Sequence, residues 1–249
     1  MFGIIARSRP ASIAGLTIER RAHVETPYGR PSAPLIYGAI AGKSVVVLLR
    51  HGDDHEFPPH RVNYRANIQA LYDAGVEGIV AIATVGGLRD HLGPGTLLIP
   101  DQVIDYTSDR AHTFYDADDA SAHHVDFTWP FSENLRRRLL TSARNAGIRI
   151  EDGGCYGATN GPRLESAAEI RMMQRDGCDV VGMTGMPEIA LARERGIPYG
   201  AINIVVNYAA GLGDSAQAVA HDQLLEYGRT AMITVARLLA NFIENKDKA

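Results

Sequence analysis

The chain has 249 residues, of which 45% are hydrophobic and 22% are charged. This balance is typical of a globular protein with a sizeable core and excludes a largely disordered chain. The formal net charge of −4 gives no general attraction to a polyanion, so we expect no nucleic-acid partner. The densest basic run, Arg136–Arg138, lies in a helical pattern and is predicted to be a solvated face.

The cysteine content and the chain start indicate a compartment. Cys155 and Cys178 have neither CxxC spacing nor neighbours that would form a metal site or a disulfide framework, which favours a reducing environment. The first residues lack a signal-peptide pattern, and no apolar run approaches the roughly 18 residues of a membrane span. We therefore expect a cytoplasmic protein without membrane contact. No repeat or change in composition divides the chain, which predicts one domain over residues 1–249.

Short β-rich runs alternate with amphipathic helical patterns. The predicted strands are Phe2–Ala6, Leu35–Ile40, Ser44–Leu49, Gly78–Val85, Thr96–Pro100, Val180–Met183 and Tyr199–Val206. The predicted helices are Asn63–Ala74, Glu133–Ala146, Ser166–Arg175, Pro187–Arg195 and a final helix with the apolar face Leu225, Gly228, Met232, Val235, Leu239 and Phe242. This alternation predicts an α/β fold, a three-layer sandwich around a mixed central β-sheet.

The first strand end that carries candidate functional side chains follows Ser44–Leu49. The apolar run stops at Arg50, His51 and Gly52. Open α/β sheets place ligand crevices at the carboxyl ends of their strands. A guanidinium offers a rigid fork of donors to a phosphate, and an imidazole can donate a further hydrogen bond. The tripeptide therefore favours an oxyanion site, although a surface arginine that merely ends a strand fits it equally well.

Two further strand ends carry hydroxyl groups. The strand that starts at Gly78 ends in Thr84 followed by the pair Gly86–Gly87, which either lets a ligand approach the backbone or forms a plain turn. Met183 and Thr184 stand between a predicted strand and a predicted helix start. A helix N-terminus with a free hydroxyl suits an anion, whereas Met183 by itself is more typical of core packing.

Metal and covalent chemistry have little support in the sequence. His51 and His55 have the spacing of metal ligands on a helix, and His60 follows, but glycine and proline between them disfavour a helix. We predict no metal site. There is no GxSxG motif and Cys155 has no activating neighbour, so no covalent nucleophile is predicted either.

Segments along nearly the whole chain resemble one enzyme family. They read ETPYGRPSAPL at 25–35, RHG at 50–52, PPHRVNYRANIQAL at 58–71, VGGL at 85–88, NGPRLESAAE at 160–169 and GMTGMPEIALARE at 182–194. Their order and spacing resemble the trimeric purine nucleoside phosphorylases, and specifically the methylthioadenosine phosphorylase branch. The resemblance implies phosphorolysis of a purine nucleoside with inorganic phosphate as co-substrate and no other cofactor. It also implies a homotrimer with active sites at the subunit interfaces.

The same resemblance implies roles for individual residues. Arg50, His51 and Thr184 are expected to bind phosphate, with Thr84 close by. Met183 is expected to line the ribose. The remaining expected substrate-binding residues are Leu164, His124, His221 and Leu224. Of these, His124 ends the predicted exposed loop at 116–124 and matches a residue that the family lends to a neighbouring subunit.

Two positions bear on the identity of the base. Asn207 stands where methylthioadenosine phosphorylases carry an aspartate and enzymes for 6-oxopurines carry an asparagine. An ionised aspartate only accepts hydrogen bonds, whereas a carboxamide can donate to O6 or N7 of the purine. Glu165 matches the glutamate that accepts the N1 proton of a 6-oxopurine, and Ala209 lacks the second aspartate of the adenine pattern. An exposed glutamate at a helix start and an asparagine that closes a strand remain the alternative interpretation.

The substituent at the 5′ position stays open. His221 stands where inosine and guanosine enzymes place a histidine against a 5′-hydroxyl, whereas Leu224 would suit a methylthio group. A histidine without function at a helix start is equally compatible with the sequence. The predicted reaction is phosphorolysis of 5′-methylthioinosine to the free base and 5-methylthioribose 1-phosphate. The alternatives are a methylthioadenosine phosphorylase and an inosine or guanosine phosphorylase.

The chain also departs from the family pattern. A glycine-rich GGTG loop usually follows the first strand and holds phosphate, but here the segment is Ala6–Arg9. Ser8 preserves the hydroxyl, and either Arg7 or Arg9 compensates by charge or the loop is remodelled and binds phosphate weakly. Ala83 replaces a threonine near the phosphate. A repurposed protein that binds a planar aromatic ligand without turnover, or a purely structural protein, is therefore a further alternative.

Overall fold

The computed structural model describes residues 1–7, 13–116, 123–219 and 221–245, without the side chains of 221–224. The strands in these ranges are β1 (Phe2–Ala6), β2 (Thr17–Ala22), β3 (Leu35–Ile40), β4 (Lys43–Leu49), β5 (Gly78–Gly87), β6 (Leu97–Ile99), β7 (Gln102–Asp105), β8 (Glu151–Asp152), β9 (Cys155–Ala158), β10 (Val180–Gly182) and β11 (Tyr199–Tyr208). The helices are α1 (Tyr64–Asp73), α2 (Glu133–Asn145), α3 (Ala167–Asp176), α4 (Glu188–Glu194) and α5 (His221–Glu244).

The strands form one mixed sheet that branches at β5. One path runs in the order β2-β3-β4-β1-β5-β10-β9-β7. On its other side β5 pairs with β11, which continues to β6 and β8. The central strands β4, β1, β5 and β11 are parallel to their neighbours in this series, so their carboxyl ends lie at the same edge of the sheet.

Helices cover both faces of the sheet. In β4 the side chains alternate between the faces, so that Val45, Val47 and Leu49 join one hydrophobic cluster while Val46 and Leu48 join the other. The first cluster includes apolar residues of α2 and α5, and the second includes those of α1 and α4. The predicted three-layer α/β sandwich is confirmed. No helix in the described ranges is both long and apolar enough to cross a membrane.

Four strands, β2, β7, β8 and β9, were not predicted from the sequence. The sequence of β2, TIERRA, lacks the alternation of apolar and polar residues because all but its last residue are exposed at the edge of the sheet. The other three strands have only two to four residues each, too few for a periodic pattern.

Two predictions about helix surfaces were wrong. Arg136 is only 7% exposed and donates to the carbonyl of Pro100 at 3.0 Å, so it does not belong to a solvated face. The Arg138 guanidinium lies over the rings of Phe2 and Phe242, because the long aliphatic part of an arginine can pack on the core. At the start of α5, Leu225 is 56% exposed, so the buried face of this helix begins after it.

Candidate active site

The strand β5 changes its neighbour along its length. Residues 78–81 pair with β1, whereas Gly86 and Gly87 pair with β10. Residues 82–85 therefore lie between the end of β1 and the end of β10, with no strand partner on that side in the described chain. A point where a sheet changes its strand order leaves a crevice at the strand ends. A cavity opens there.

This cavity has a volume of about 320 Å³. It brings together eight of the predicted site residues, Arg50, His51, Thr84, Leu164, Glu165, Met183, Thr184 and Asn207. His124 is exposed and does not line it. Ser8 lies outside the described residues, and the side chains of His221 and Leu224 lie outside them as well, although both residues belong to α5.

Arg50 is held from behind by a buried ion pair. Its Nε and Nη2 atoms donate to the two carboxylate oxygens of Glu188 at 2.7 Å each, and its Nη1 donates to the carbonyl of Ile82 at 3.0 Å. Tyr199 donates its hydroxyl to the same carboxylate at 2.6 Å. Burial opposes the charge on Arg50, but Glu188 outweighs it and raises the pKa of the guanidinium. Since a guanidinium has five N–H groups, two of them remain for a ligand.

His51 lies beside Arg50 with a defined tautomer. Its Nδ1 is 2.7 Å from the carbonyl oxygen of Phe57, which can only accept, so Nδ1 carries the proton. Burial, followed by the charge of Arg50, lowers the pKa of His51 to about 3. The neutral ring therefore has Nε2 as an acceptor. An anion meets this atom through a hydroxyl of its own, or after His51 has taken up a proton.

Thr184 and Met183 are placed by close packing at the end of β10. The amides of Thr184 and Gly185 donate to the hydroxyl of Tyr156 at 3.2 and 3.3 Å. These two amides, which precede α4, are therefore engaged with a tyrosine and are not free for an anion. A Cβ on Gly161, which has a φ of +61°, would lie 2.4 Å from the sulfur of Met183, so only glycine leaves room for this side chain.

Glu165 and Asn207 also line the cavity. Oε1 of Glu165 accepts a hydrogen bond from the hydroxyl of Thr159 at 2.7 Å. The pairing of β11 with β5 shifts register between Val205 and Asn207, so Val206 is an extra residue in the strand. Because of this bulge, Val206 and Asn207 both line the cavity, whereas consecutive residues of a regular strand face opposite sides. Asn207 donates one amide hydrogen to the carbonyl of Tyr208, which fixes the plane of its carboxamide.

The Gly86–Gly87 pair lies inside β5 and does not form a turn. A Cβ on Gly87 would be 1.9 Å from the carbonyl oxygen of Leu92, so this glycine is required by the backbone that crosses it. Gly86 lines the cavity, and a Cβ there would only touch Val181 and Ala209 at 3.3 and 3.4 Å. The crossing backbone therefore requires glycine at position 87, whereas at position 86 a methyl group would only narrow the contacts with Val181 and Ala209.

Several lining residues were not assigned to the site from the sequence. His55 lines the cavity, and its ring lies 4.5 Å from that of His51 although the two do not share a helix. Arg7, which the sequence offered together with Arg9 as a compensating charge, also lines the cavity directly after β1, whereas Arg9 lies outside the described residues. Val219 contributes an apolar side chain two residues before α5, and Pro59 adds another. The position of Val219 next to His221 was the only available signal for it.

The chain is similar to known proteins of one family. Residues 5–244 match the model of the phosphorylase superfamily. The chain is 53% identical to a probable S-methyl-5′-thioinosine phosphorylase of Xanthomonas campestris pv. campestris over 192 residues, which are 77% of each chain. It is 45% identical to a protein of the same name from Pseudomonas syringae pv. tomato, over 96% of this chain and 98% of that one.

A solved structure gives the same answer for the fold. Methylthioadenosine phosphorylase from Schistosoma mansoni in complex with adenine superposes with a TM-score of 0.93 at 32% identity, over 100% of this chain and 92% of that one. The sequence match spans the strands and loops that surround the cavity. The chain belongs to the phosphorylase superfamily.

Proposed function

We propose that this protein cleaves 5′-methylthioinosine with inorganic phosphate, giving hypoxanthine and 5-methylthioribose 1-phosphate. The observation that carries the proposal is a single cavity lined by Arg50, His51 and Thr184 and also by Glu165 and Asn207. The first three residues offer donors and charge to an oxyanion, and the other two offer a complementary donor and acceptor to a purine edge.

The strand order supports a ligand of this length. Arg50 directly follows β4 and Asn207 belongs to β11, and two strands, β1 and β5, separate β4 from β11. Three strand spacings amount to about 14 Å. That distance accommodates a phosphate, a ribose and a purine in a row, with Thr84 of β5 near the phosphate and Met183, directly after β10, beside the sugar.

The two residues at the base end favour a 6-oxopurine. The carboxamide of Asn207 has one N–H engaged with Tyr208, which leaves its second N–H to donate to O6 or N7. Glu165 is a carboxylate that can accept the N1 proton, which hypoxanthine has and adenine lacks. Thr159 fixes one oxygen of this carboxylate, which leaves the other for the base.

The methylthio substituent is supported by the named relatives and by the lining of the cavity. The matched proteins from Xanthomonas campestris and Pseudomonas syringae are named for S-methyl-5′-thioinosine. Val219 and Pro59 contribute apolar surface, which suits a methylthio group better than a hydroxyl. Methylthioadenosine is the second candidate, since the matched Schistosoma enzyme acts on it by name, but the 6-amino group would meet a donor at Asn207.

The proposed reaction is a displacement at C1′ without a covalent enzyme intermediate. The C1′–N9 bond breaks and its electron pair passes to the purine, while an oxygen of hydrogen phosphate forms the new bond to C1′ from the opposite face. The proton lost by hydrogen phosphate balances, through solvent, the proton gained by the base. Asn207 stabilises the negative charge that develops on the purine, and the phosphate anion stabilises the positive ribose.

A homotrimer belongs to the proposal. His124 is exposed on a single chain, as expected of a residue that a neighbouring subunit would use. A partner would then close the open side of the cavity and exclude water from it. Sedimentation of the purified protein, with and without nucleoside, measures this state.

The experiment for the substrate compares kcat/KM for methylthioinosine, methylthioadenosine and inosine at saturating phosphate. The proposal expects methylthioinosine to lead methylthioadenosine by about 10-fold or more, since one unmatched polar contact costs 1 to 3 kcal/mol. A preference for methylthioadenosine would reject the assignment to Glu165 and Asn207. A preference for inosine would reject only the methylthio group.

A further inference from the structure

Arg7 lies at the oxyanion end of the cavity without a counterion. It follows β1 directly, and the backbone amide of Arg50 donates to the carbonyl of the preceding residue, Ala6, at 2.9 Å. Arg7 and Arg50 are thus neighbours at adjacent strand ends, and both line the cavity. In the part of the chain that the structure describes, no carboxylate forms an ion pair with Arg7.

The two arginines differ in their charge balance. The charge of Arg50 is matched by Glu188, which occupies two of its donors, whereas the half-buried Arg7 has no such match. Burial without a compensating carboxylate lowers the pKa of Arg7, yet an arginine stays charged at neutral pH. Arg7 therefore supplies a net positive charge to this end of the cavity, while the Arg50–Glu188 pair supplies geometry and hydrogen-bond donors.

The end of β1 is also held beside the segment that carries Arg50 and His51. The Arg50 amide donates to the carbonyl of Ala6 at 2.9 Å, and the ring of His55 packs on that of His51. Burial, followed by the charge of nearby Arg7, lowers the pKa of His55. The guanidinium of Arg7 therefore offers a charged fork of hydrogen-bond donors beside Arg50 and His51.

We propose that Arg7 binds the phosphate co-substrate directly through its guanidinium group. This inference rests on the proposed phosphorolysis and names the residue that supplies charge to its co-substrate. It predicts that removal of Arg7 weakens phosphate binding much more than nucleoside binding. Hydrogen bonds to charged groups are strong enough for an effect of about 10-fold or more.

The test measures the KM for phosphate and the KM for methylthioinosine in Arg7→Gln, Arg7→Lys and the control Arg21→Gln. Arg21 is a surface arginine paired with Asp53 on the edge strand β2, so its loss changes the net charge by the same amount. Arg7→Gln should raise the KM for phosphate about 10-fold or more and leave the KM for methylthioinosine nearly unchanged, with Arg7→Lys in between. Arg21→Gln should match the parent protein.

Calorimetric titration of phosphate alone separates this inference from the proposed function. If the parent protein turns over only with phosphate and Arg7→Gln keeps the parental KM and affinity for phosphate, the role of Arg7 is overturned and phosphorolysis stands. If the parent protein binds phosphate but shows no phosphate-dependent turnover, and the variant Arg7→Gln does not bind phosphate, phosphorolysis is rejected and Arg7 remains an anion-binding residue. Equal phosphate affinity in parent and variant, with no turnover in either, overturns both.

Discussion

Both carboxylate oxygens of Glu188 accept hydrogen bonds from Arg50, one from Nε and one from Nη2, each at 2.7 Å. Neither side chain is more than 2% exposed. Arg50 comes from the end of β4 and Glu188 is the first residue of α4, so the pair joins one side of the cavity to the helix behind it. The guanidinium can therefore meet a ligand with little loss of conformational entropy.

Replacement of Glu188 by Gln should be strongly destabilising, because it leaves the buried charge of Arg50 without its counterion. The expected loss in the free energy of unfolding is about 3 kcal/mol, measured by urea denaturation. Tyr199→Phe is the matched control, since it removes one hydrogen bond to the same carboxylate and should cost about 1 kcal/mol. Equal costs for the two variants would mean that the ion pair contributes no more than a neutral contact.

The lowered pKa of His51 should make the folded protein less stable as the pH falls. Burial lowers the pKa of the folded-state imidazole to about 3, below its ordinary value, so the unfolded chain takes up the proton first as the pH falls. The contribution is fully present above the ordinary pKa of about 6.5 and is lost as the pH falls toward the folded value.

The measurement compares the parent protein with His51→Asn, whose amide can keep the hydrogen bond to the Phe57 carbonyl. Between about pH 7.5 and about pH 5 the parent should lose about 2 kcal/mol more of its unfolding free energy than the variant does. Parallel pH profiles would show that His51 titrates normally in the folded protein.

The two glycines of β5 should respond differently to alanine. Gly87→Ala places a Cβ against the Leu92 carbonyl and should cost at least about 2 kcal/mol of stability. Gly86→Ala makes ordinary or slightly tight contacts, so its stability should change by less than about 1 kcal/mol while the KM for nucleoside rises, because the methyl group narrows the cavity. Thermal denaturation and steady-state kinetics of both variants check this order, and a reversed order would contradict it.

Asn207→Asp tests the recognition of the base. An ionised aspartate accepts from a 6-amino group and repels the O6 of hypoxanthine, so the ratio of kcat/KM for methylthioadenosine to that for methylthioinosine should rise about 10-fold or more. Glu165→Ala serves as the comparison, since it removes the acceptor for the N1 proton without adding a donor for adenine and should lower activity on methylthioinosine without improving methylthioadenosine. An equal fall for both nucleosides in Asn207→Asp would remove Asn207 from base recognition.

The sequence predicted the parts of the fold that carry strong local patterns. The central strands are continuous apolar runs, and Ser166 with Glu169 forms the capping box that starts α3. The edge strand β2 was missed because its residues are exposed and have no alternating pattern. The burial of Arg136 was missed because its partners, Asp152 and the Pro100 carbonyl, lie far from it in the sequence. No local pattern contains that information.

The position of the site at a set of strand ends could be predicted from the sequence, but the hydrogen bonds and ion pairs within the site could not. Arg50 and Asn207 could be expected to meet because the parallel strands β4 and β11 end at one edge of the sheet. Thr184 joins them for a different reason, since β10 runs antiparallel to β5 and ends beside its middle. The bulge at Val206, the counterion Glu188 and the engagement of the Thr184 amide by Tyr156 follow from register and packing across the chain. These contacts decide which donors are left for a ligand.

Phosphorolysis requires that one cavity hold a nucleoside and a phosphate together, so that the sugar passes from the base to the phosphate. Phosphorus NMR of the purified protein with methylthioinosine, with and without inorganic phosphate, measures this transfer. We expect one molecule of 5-methylthioribose 1-phosphate for each hypoxanthine released, and no release when phosphate is omitted. Hypoxanthine release without phosphate, or nucleoside binding without any turnover, would contradict it.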